Sequence, residues 1–290
     1  MEKTFRIVEN KFKWFAFSIV IILVGMVFLF TKGLNFGINF KGGAVMSVET
    51  GQTLSNEDIE DVRVIAAKYD KDATARIING TKAEISSSKM SLDELNKVFD
   101  ELKGKYSLKD DAKQINRQDA KIGKEQQRSA IIASLVAIAL ILVYVGIRFE
   151  LKTGFSAVIA LVHDLLVMLT VYAVFQVPVN NSFIAAMLTI LGYSINDTIV
   201  VFDRIRENKK SGKYKDYVSL TDASITQTMS RSINTAFTTL ITIVSIYILG
   251  VSAIQEFAFP LIIGIVSGTY SSIFIASPLW VMLEKNNKLA

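Results

Sequence analysis

The sequence has no cysteine, one histidine and three prolines in 290 residues. Without cysteine, the chain has no disulfide, no thiolate metal site and no cysteine nucleophile. Because His163 is the only histidine, every site that needs two imidazoles is excluded, including the H-E-x-x-H metalloproteases. The sequence also lacks G-x-S-x-G, Walker A and dinucleotide-binding motifs. We therefore expect no catalytic residues, no metal site and no resident cofactor.

Charge is scarce along most of the chain and concentrated in one segment. Residues 32–128 carry 33 of the 59 charged side chains, and all the remaining residues carry 26. An apolar run of about 18 or more residues with few charges is typical of a transmembrane helix. The sequence therefore predicts an α-helical membrane protein with six spans and one soluble domain between the first two. The predicted spans are 14–31, 129–147, 153–175, 183–203, 230–250 and 257–283.

Lysine and arginine in the short loops predict the orientation of the spans. Basic residues cluster in four segments: the tail before the first span, the turn at 148–152, the loop 204–229 and the tail 284–290. The loops 176–182 and 251–256 contain neither lysine nor arginine. We therefore expect both termini in the cytoplasm and residues 32–128 outside it. The net charge of +5 is then explained by a basic cytoplasmic rim, and no nucleic-acid partner is expected.

The segment 32–128 alternates between strand and helix patterns. The predicted elements are a strand at 44–50, a helix at 56–69, strands at 73–79 and 82–88, a helix at 92–102 and a last strand at 114–122. This β-α-β-β-α-β order predicts an α+β ferredoxin-like domain. Because that fold hosts many activities, it assigns no function by itself.

The charged residues selected as candidates inside the predicted spans are Asp164, Asp197 and Arg231. Such groups are costly in a bilayer, so each one is a functional candidate. Asp197 lies about six residues before the cytoplasmic end of the fourth span, a depth of ~9 Å, and Arg231 has a similar depth if the fifth helix enters the bilayer near Ile225. Because these two helices are sequential and antiparallel, the two side chains could meet. The resulting hypothesis is a proton pathway built from these three residues.

Uncharged polar residues accompany these charges. The supporting candidates are Tyr193 and Asn196 in the fourth span, Asn234 in the fifth and His163 in the third. Two facing polar stripes predict hydrated space between the fourth and fifth spans. The alternative is a static arrangement, in which Arg231 reaches the headgroups and the aspartate is merely neutralised. For His163 and Asp164, a relay role and a structural role remain equally open.

The sixth span contains Gly264 and Gly268, followed by Ser271 and Ser272. Small residues four positions apart allow helix backbones to approach closely. We expect a packing role for this face, either within the chain or against a partner.

Three sequence blocks resemble the SecF family of bacterial protein-export membrane subunits, which is part of the resistance–nodulation–division superfamily. They are Asn-Phe-Gly-Ile-Asn-Phe-Lys-Gly-Gly at 35–43, the block 191–208 around Asn-Asp-Thr, and Ser-Arg-Ser-Ile-Asn-Thr-Ala-Phe-Thr-Thr at 230–239. The resemblance covers nearly the whole chain, and the block 191–208 is highly specific. It implies that Asp197 and Arg231 are the family's proton-pathway residues. It also implies that Gly42 and Gly43 are the family's motif glycines.

The resemblance further implies partners and a function. The partners are SecD as a separate polypeptide, the SecYEG channel, often the small subunit YajC, SecA indirectly, the translocating preprotein and membrane lipids. The implied function is to promote protein export across the bacterial cytoplasmic membrane by means of the proton-motive force, with protons as the coupling ion. One alternative is a proton-coupled exporter of small molecules or lipids from the same superfamily. Another is a passive assembly subunit whose buried charges are only structural.

Overall fold

The computed structural model describes residues 4–78, 80–118, 120–148 and 150–284. The chain divides into two compact units, of which one comprises Met1–Asn35 and Ala133–Ala290 and the other Phe36–Ile132. The first unit is a helical bundle, and the second is built around a β-sheet.

The membrane unit is formed by long apolar helices. These are α1 (Lys11–Thr31), α5 (Ala120–Arg148), α6 (Leu151–Phe175), α7 (Asn181–Lys210), α8 (Tyr217–Leu249) and α9 (Ser252–Ser271), the last continued by a π-helical turn (Ser272–Ala276) into α10 (Ser277–Glu284). Within the described part of the chain, six stretches are long and apolar enough to cross a membrane. The predicted number of spans is confirmed, and the chain is a multi-pass membrane protein.

The spans differ in how far the chain itself buries them. In their most apolar stretches, 39% of residues are buried in α6 and in α7, and 61% in the span that α9 and α10 form. The corresponding shares are 6% in α5 and 11% in α1 and in α8. The helices α6, α7 and α9 therefore form the centre of the bundle, and the other three present apolar faces outward.

The prediction of a loop over 204–229 is wrong. Helix α7 continues to Lys210, and α8 begins at Tyr217, so most of this segment is helical. The Asp216 side chain caps α8, because its Oδ1 accepts the backbone N–H of Ser219 at 2.8 Å. Hydropathy marks only the apolar part of a helix, and both helices extend beyond that part with polar sequence.

The early start of α8 has a packing reason. Its first turns bury Tyr217, Leu220 and Ile225 in the core of the bundle. The buried Asp222 accepts the backbone N–H groups of Ile7 and Val8 through Oδ1, at 3.0 and 2.9 Å. The segment before α1 is thereby fixed to α8, which the sequence did not predict.

The second unit has the predicted ferredoxin-like topology. Its elements are a short helix α2 (Ile38–Lys41), β1 (Gly43–Glu49), α3 (Asn56–Ala67), β2 (Thr74–Ile78), β3 (Lys82–Ser87), α4 (Leu92–Tyr106), a 3₁₀ turn (Asp110–Ala112) and β4 (Lys113–Gln118). The antiparallel sheet has the strand order β2-β3-β1-β4. The predicted last strand at 114–122 is too long, because β4 ends at Gln118 and α5 begins at Ala120.

Both long helices of this unit begin with capping boxes, at Ser55 and at Ser91. Asp58 accepts the backbone N–H of Ser55 at 2.8 Å, and this hydrogen bond holds the pKa of Asp58 below its usual range. The helices cover one face of the sheet, where Val62, Leu95 and Phe99 join the buried strand residues in a single core.

Two adjacent glycines connect α2 to β1. Gly42 has φ 74° and Gly43 has φ 127°, in the region that favours glycine. A Cβ atom on Gly43 would lie 2.3 Å from the backbone oxygen of Ser87 in the neighbouring strand. The glycine pair therefore has a conformational role at the entry to the sheet.

Replacement of Gly43 by alanine is expected to destabilise the sheet, because it combines a strained φ of about 1–3 kcal/mol with a backbone clash. Hydrogen exchange of β1 and β3 in the full chain should accelerate at least about tenfold. Gly104→Ala is the matched control, because a Cβ there meets nothing within 4 Å. Similar exchange in the two variants would contradict the proposed role of Gly43.

Candidate functional site

Asp197 and Arg231 line a common cavity between α7 and α8. The cavity has a volume of about 70 Å³ and is lined by Tyr193, Asn196, Asp197, Val200, Arg231 and Thr235. On the scale where one water molecule needs about 10–15 Å³, this volume can hold several. The structure therefore brings together four of the residues selected from the sequence in a polar space that can be hydrated.

The two charged side chains do not form a closed ion pair. Ser232 of α8 donates a hydrogen bond to Asp197 Oδ1 at 2.6 Å. Asp197 Oδ2 is buried and has no hydrogen-bond partner among the described residues. Arg231 is exposed and makes no ion pair or hydrogen bond with any part of the chain that the structure describes. Oδ1 of Asp197 is therefore held by α8, whereas Oδ2 has no partner in the described part of the chain.

Asp164 lies in a different and completely satisfied environment. Only 1% of its surface is exposed. Its Oδ2 accepts hydrogen bonds from Ser194 of α7 at 2.6 Å and Ser271 of α9 at 2.8 Å. Its Oδ1 accepts one from Ser267 of α9 at 2.7 Å and lies 3.1 Å from His163 Nδ1. We call these five residues the Asp164 cluster, and it fastens α6 to both α7 and α9.

His163 extends this cluster to α1. Its Nε2 lies 3.0 Å from Ser18 Oγ, and its ring stacks on Tyr270 with centroids 5.8 Å apart. Tyr270 in turn donates to the backbone oxygen of Trp14 at 2.9 Å. Adjacent residues of a helix point about 100° apart, which lets His163 face α1 while Asp164 faces α7 and α9.

Hydroxyl groups lie between the cavity and the Asp164 cluster. Thr198, which follows Asp197 in α7, lies with its Oγ1 2.8 Å from Ser272 Oγ. Ser272 follows Ser271 and is the first residue of the π-helical turn. Such turns are frequent at functional sites of helices. No direct hydrogen bond joins Asp197 to Asp164 among the described residues.

The small residues of the sixth span pack within this chain. A Cβ on Gly264 would lie 2.4 Å from Ile190 Cγ1, and one on Gly268 would lie 3.0 Å from Ser194 Cβ. Helix α9 therefore packs closely against α7, and serines of both helices converge on Asp164 of α6. Of the two possibilities left open by the sequence, the structure shows the contact within the chain.

Because of this contact, Gly264→Ala is expected to lower the thermal stability of the bundle by about 1–3 kcal/mol through overpacking. Gly192→Ala in α7 is the matched control, because nothing lies within 4 Å of its added Cβ. Thermal unfolding of the full chain in lipid nanodiscs measures both. If Ile190→Ala, which removes all three Ile190 atoms that the added Cβ would meet, fails to restore stability to the Gly264→Ala variant, close α7–α9 packing is not the cause.

Not every candidate lies at the site. Asn234 is exposed on α8, with Nδ2 3.4 Å from Ser230 Oγ, and it does not line the cavity. Two site residues were not predicted from the sequence: Ser232, the direct partner of Asp197, and Ser18, which holds His163. Ser271 was expected only to pack between helices, but it donates a hydrogen bond to Asp164. The available signal was the spacing of Ser267 and Ser271 along one face of an uncharged span.

The fold and the site define a class: a six-span membrane protein with a ferredoxin-like domain after its first span and a carboxylate–arginine cavity in its bundle. The family model "Protein export membrane protein SecD/SecF, C-terminal" matches residues 98–286, and the "SecD/SecF GG Motif" matches residues 27–53. The chain belongs to the SecD/SecF family of protein-export membrane proteins. The second match places Gly42 and Gly43 within the family's own motif region.

Individual relatives agree with the family models. Protein translocase subunit SecF of Dictyoglomus turgidum is 37% identical over 272 residues, which are 92% of this chain and 93% of the relative. Protein translocase subunit SecDF of Bacillus subtilis is 35% identical over 276 residues, 92% of this chain but 36% of the relative. A crystal structure of SecDF from Thermus, a translocon-associated membrane protein, superposes with a TM-score of 0.86 and 30% identity. The match covers 99% of this chain and 39% of the SecDF chain. The resemblance to SecF that the sequence blocks indicated is confirmed.

Proposed function

We propose that this chain is an auxiliary subunit of the Sec protein translocase that works with SecD and uses the proton-motive force to promote protein export. The observation that carries the proposal is the cavity that Asp197 and Arg231 both line, in a chain of the SecD/SecF family. The SecDF relatives support a SecD partner, because there one chain holds a region like this one within a much longer protein. SecYEG, YajC, SecA and the preprotein are partners that the family membership suggests.

In this proposal Asp197 binds and releases the coupling proton at Oδ2. Ser232 keeps the carboxylate oriented toward the cavity from α8. Loss of the negative charge on protonation weakens its attraction to Arg231, which is on the same helix as Ser232. Proton binding therefore changes the interaction between α7 and α8 without covalent chemistry. The coupling ion is the proton, and the proposal requires no other cofactor.

The Asp164 cluster is proposed to be the rigid support of this site, with Asp164 and His163 fixed in position by four helices. Each carboxylate oxygen of Asp164 has two partners, whereas the Asp197 carboxylate has one hydrogen-bond partner among the described residues. A structural role for Asp164 is therefore favoured over a relay role.

The free energy that one proton supplies limits the conformational change that it can drive. One charge that crosses the full membrane potential supplies ~2.3 kcal/mol per 100 mV. Reversing a two-state equilibrium from 1:99 to 99:1 requires about 5.5 kcal/mol. We therefore propose either a partial bias of the domain outside the membrane or several protons per cycle. A complete conformational switch driven by one proton at ~100 mV would contradict this part of the proposal.

The proposed location is the bacterial cytoplasmic membrane, with both termini in the cytoplasm and residues 32–128 outside. The basic loops and the absence of lysine and arginine from 176–182 and 251–256 support this orientation. The alternative of a small-molecule or lipid exporter is not favoured, because the family models and the relatives are those of protein-export subunits.

The experiment is protein export into membrane vesicles depleted of the native subunit, measured with and without a proton gradient. Vesicles restored with this chain and a SecD partner should export faster only when the gradient is present. A stimulation that is equal with and without the gradient would favour the passive assembly role and contradict the proposed function.

A further inference from the structure

A second cavity in the bundle is lined by basic residues that the proposed function does not use. It has a volume of about 120 Å³ and lies at the ends of three helices, where Glu150 precedes α6, Arg206 and Lys209 are in the last turns of α7, and Trp280 is in α10. Thr153, in the first turn of α6, also lines it. The cavity therefore lies at one end of the bundle, away from Asp197.

The lining is rich in hydrogen-bond donors. Arg206 makes no hydrogen bond or ion pair with any residue that the structure describes. Lys209 makes only long contacts: its Nζ lies 4.0 Å from Glu150 Oε1 and 5.9 Å from the centroid of the Tyr217 ring. Trp280 is 2% exposed, and its Nε1 has no hydrogen-bond partner among the described residues. An arginine and a buried indole N–H are thus both left without an acceptor.

The backbone adds positive potential at the same place. The N-terminus of α6 faces this end of the bundle, and the side chain of its N-cap residue, Glu150, makes no capping hydrogen bond. The first N–H groups of a long helix carry a partial positive charge that favours anions. This helix terminus supports an anion site together with the unpartnered Trp280 and Arg206.

The position of the cavity indicates where such an anion comes from. Helix α7 has 30 residues, a length of ~45 Å, so its last turns extend past the ~30 Å hydrocarbon core. Tryptophan and basic side chains concentrate at this level of a bilayer, and basic pockets between spans bind the headgroups of anionic lipids. From these observations we propose that the cavity binds the phosphate group of an anionic phospholipid headgroup. Free inorganic phosphate has the same recognisable chemistry and is the other source to be tested.

Glu150 is the one acidic residue of the lining, and its carboxylate competes with a bound phosphate for Lys209. Its side chain is 70% exposed and the separation of 4.0 Å is long for an ion pair, so the competition is weak. A phosphate that displaces Glu150 gains charge-assisted hydrogen bonds from both Arg206 and Lys209.

The test is retention of phosphatidylglycerol by the purified full chain, counted by native mass spectrometry against phosphatidylcholine. The Arg206→Gln/Lys209→Gln variant should retain at least about fivefold less phosphatidylglycerol than the unmodified chain. The matched control is Lys213→Gln/Lys215→Gln, which removes the same charge from exposed residues that do not line the cavity. Equal losses in the two variants would show general attraction to a basic rim and overturn the proposal.

Trp280 provides a second readout that does not depend on retention. The chain has two tryptophans, so Trp14→Phe leaves Trp280 as the only indole fluorophore. Its emission should change on transfer from phosphatidylcholine to phosphatidylglycerol nanodiscs, and this change should be lost in the Arg206→Gln/Lys209→Gln background. A matching response to inorganic phosphate in neutral nanodiscs would support the site and identify a soluble source. No response to either probe would overturn it.

Discussion

Asp197→Asn is expected to remove the proton-gradient-dependent part of protein export, by about tenfold or more, while export without a gradient is unchanged. Asparagine has the shape of aspartate, and its amide oxygen can still accept the hydrogen bond of Ser232 that now measures 2.6 Å. The variant therefore keeps the packing of α7 against α8 but cannot bind and release a proton. Export into subunit-depleted vesicles, with and without the gradient, measures the effect.

The matched control for this variant is Glu207→Gln on the same helix. Glu207 is exposed and pairs with Arg204 at 2.7 Å, outside the cavity. Exposed pairs of this kind contribute little to stability, so gradient-dependent export should remain near the native level. If the Asp197→Asn protein supports gradient-dependent export at the native rate, the role assigned to Asp197 is contradicted.

The second large effect is expected for Asp164→Ala, which should destabilise the whole bundle. The change leaves three buried serine hydroxyls and His163 without their shared acceptor. Buried hydrogen bonds between membrane helices contribute about 0.6–2 kcal/mol each, so the loss of four should total roughly 2–8 kcal/mol. The midpoint of thermal unfolding in nanodiscs should fall by at least roughly 5 °C.

Asp164→Asn separates the structural role from a relay role. The amide oxygen of the asparagine can accept hydrogen bonds from one pair of serines. The other hydroxyl groups can rotate to accept hydrogen bonds from the amide NH₂ group. The variant should recover most of the stability that alanine loses and retain gradient-dependent export. If Asp164→Asn is stable but exports at the rate of Asp197→Asn, Asp164 takes part in proton transfer and its assignment as a support is wrong.

Much of the fold follows from local patterns in the sequence. Long uncharged runs predict the spans because a helix makes all of its backbone hydrogen bonds within its own segment, as a bilayer requires. The alternation of strands and helices in 32–128 predicts the sheet order, since β-α-β-β-α-β chains have few compact arrangements. The prediction of a loop at 204–229 was wrong because hydropathy reports only the part of a helix that lies in the bilayer. Helix α8 begins earlier than its apolar part because Tyr217 and Leu220 are buried in the bundle.

The site was predictable only in part. Asp197 and Arg231 are conspicuous because charges are rare in spans, and helix order alone places them at similar depth. Ser232 was not predictable, because a hydroxyl in a helix can equally bond its own backbone, as Thr238 does with the carbonyl oxygen of Asn234 at 2.9 Å. The same ambiguity hid Ser267 and Ser271, whose role depends on the close approach of α9 to α7 at Gly264 and Gly268.

The most direct test of the central claim is an infrared titration of the full chain in nanodiscs, which follows the stretching band of protonated carboxyl groups. If Asp197 is the group that takes up the coupling proton, the native protein has a pH-dependent band that Asp197→Asn removes and Glu207→Gln retains. Identical titrations of the native and Asp197→Asn proteins would show that Asp197 exchanges no proton, and the proposed coupling would then be wrong.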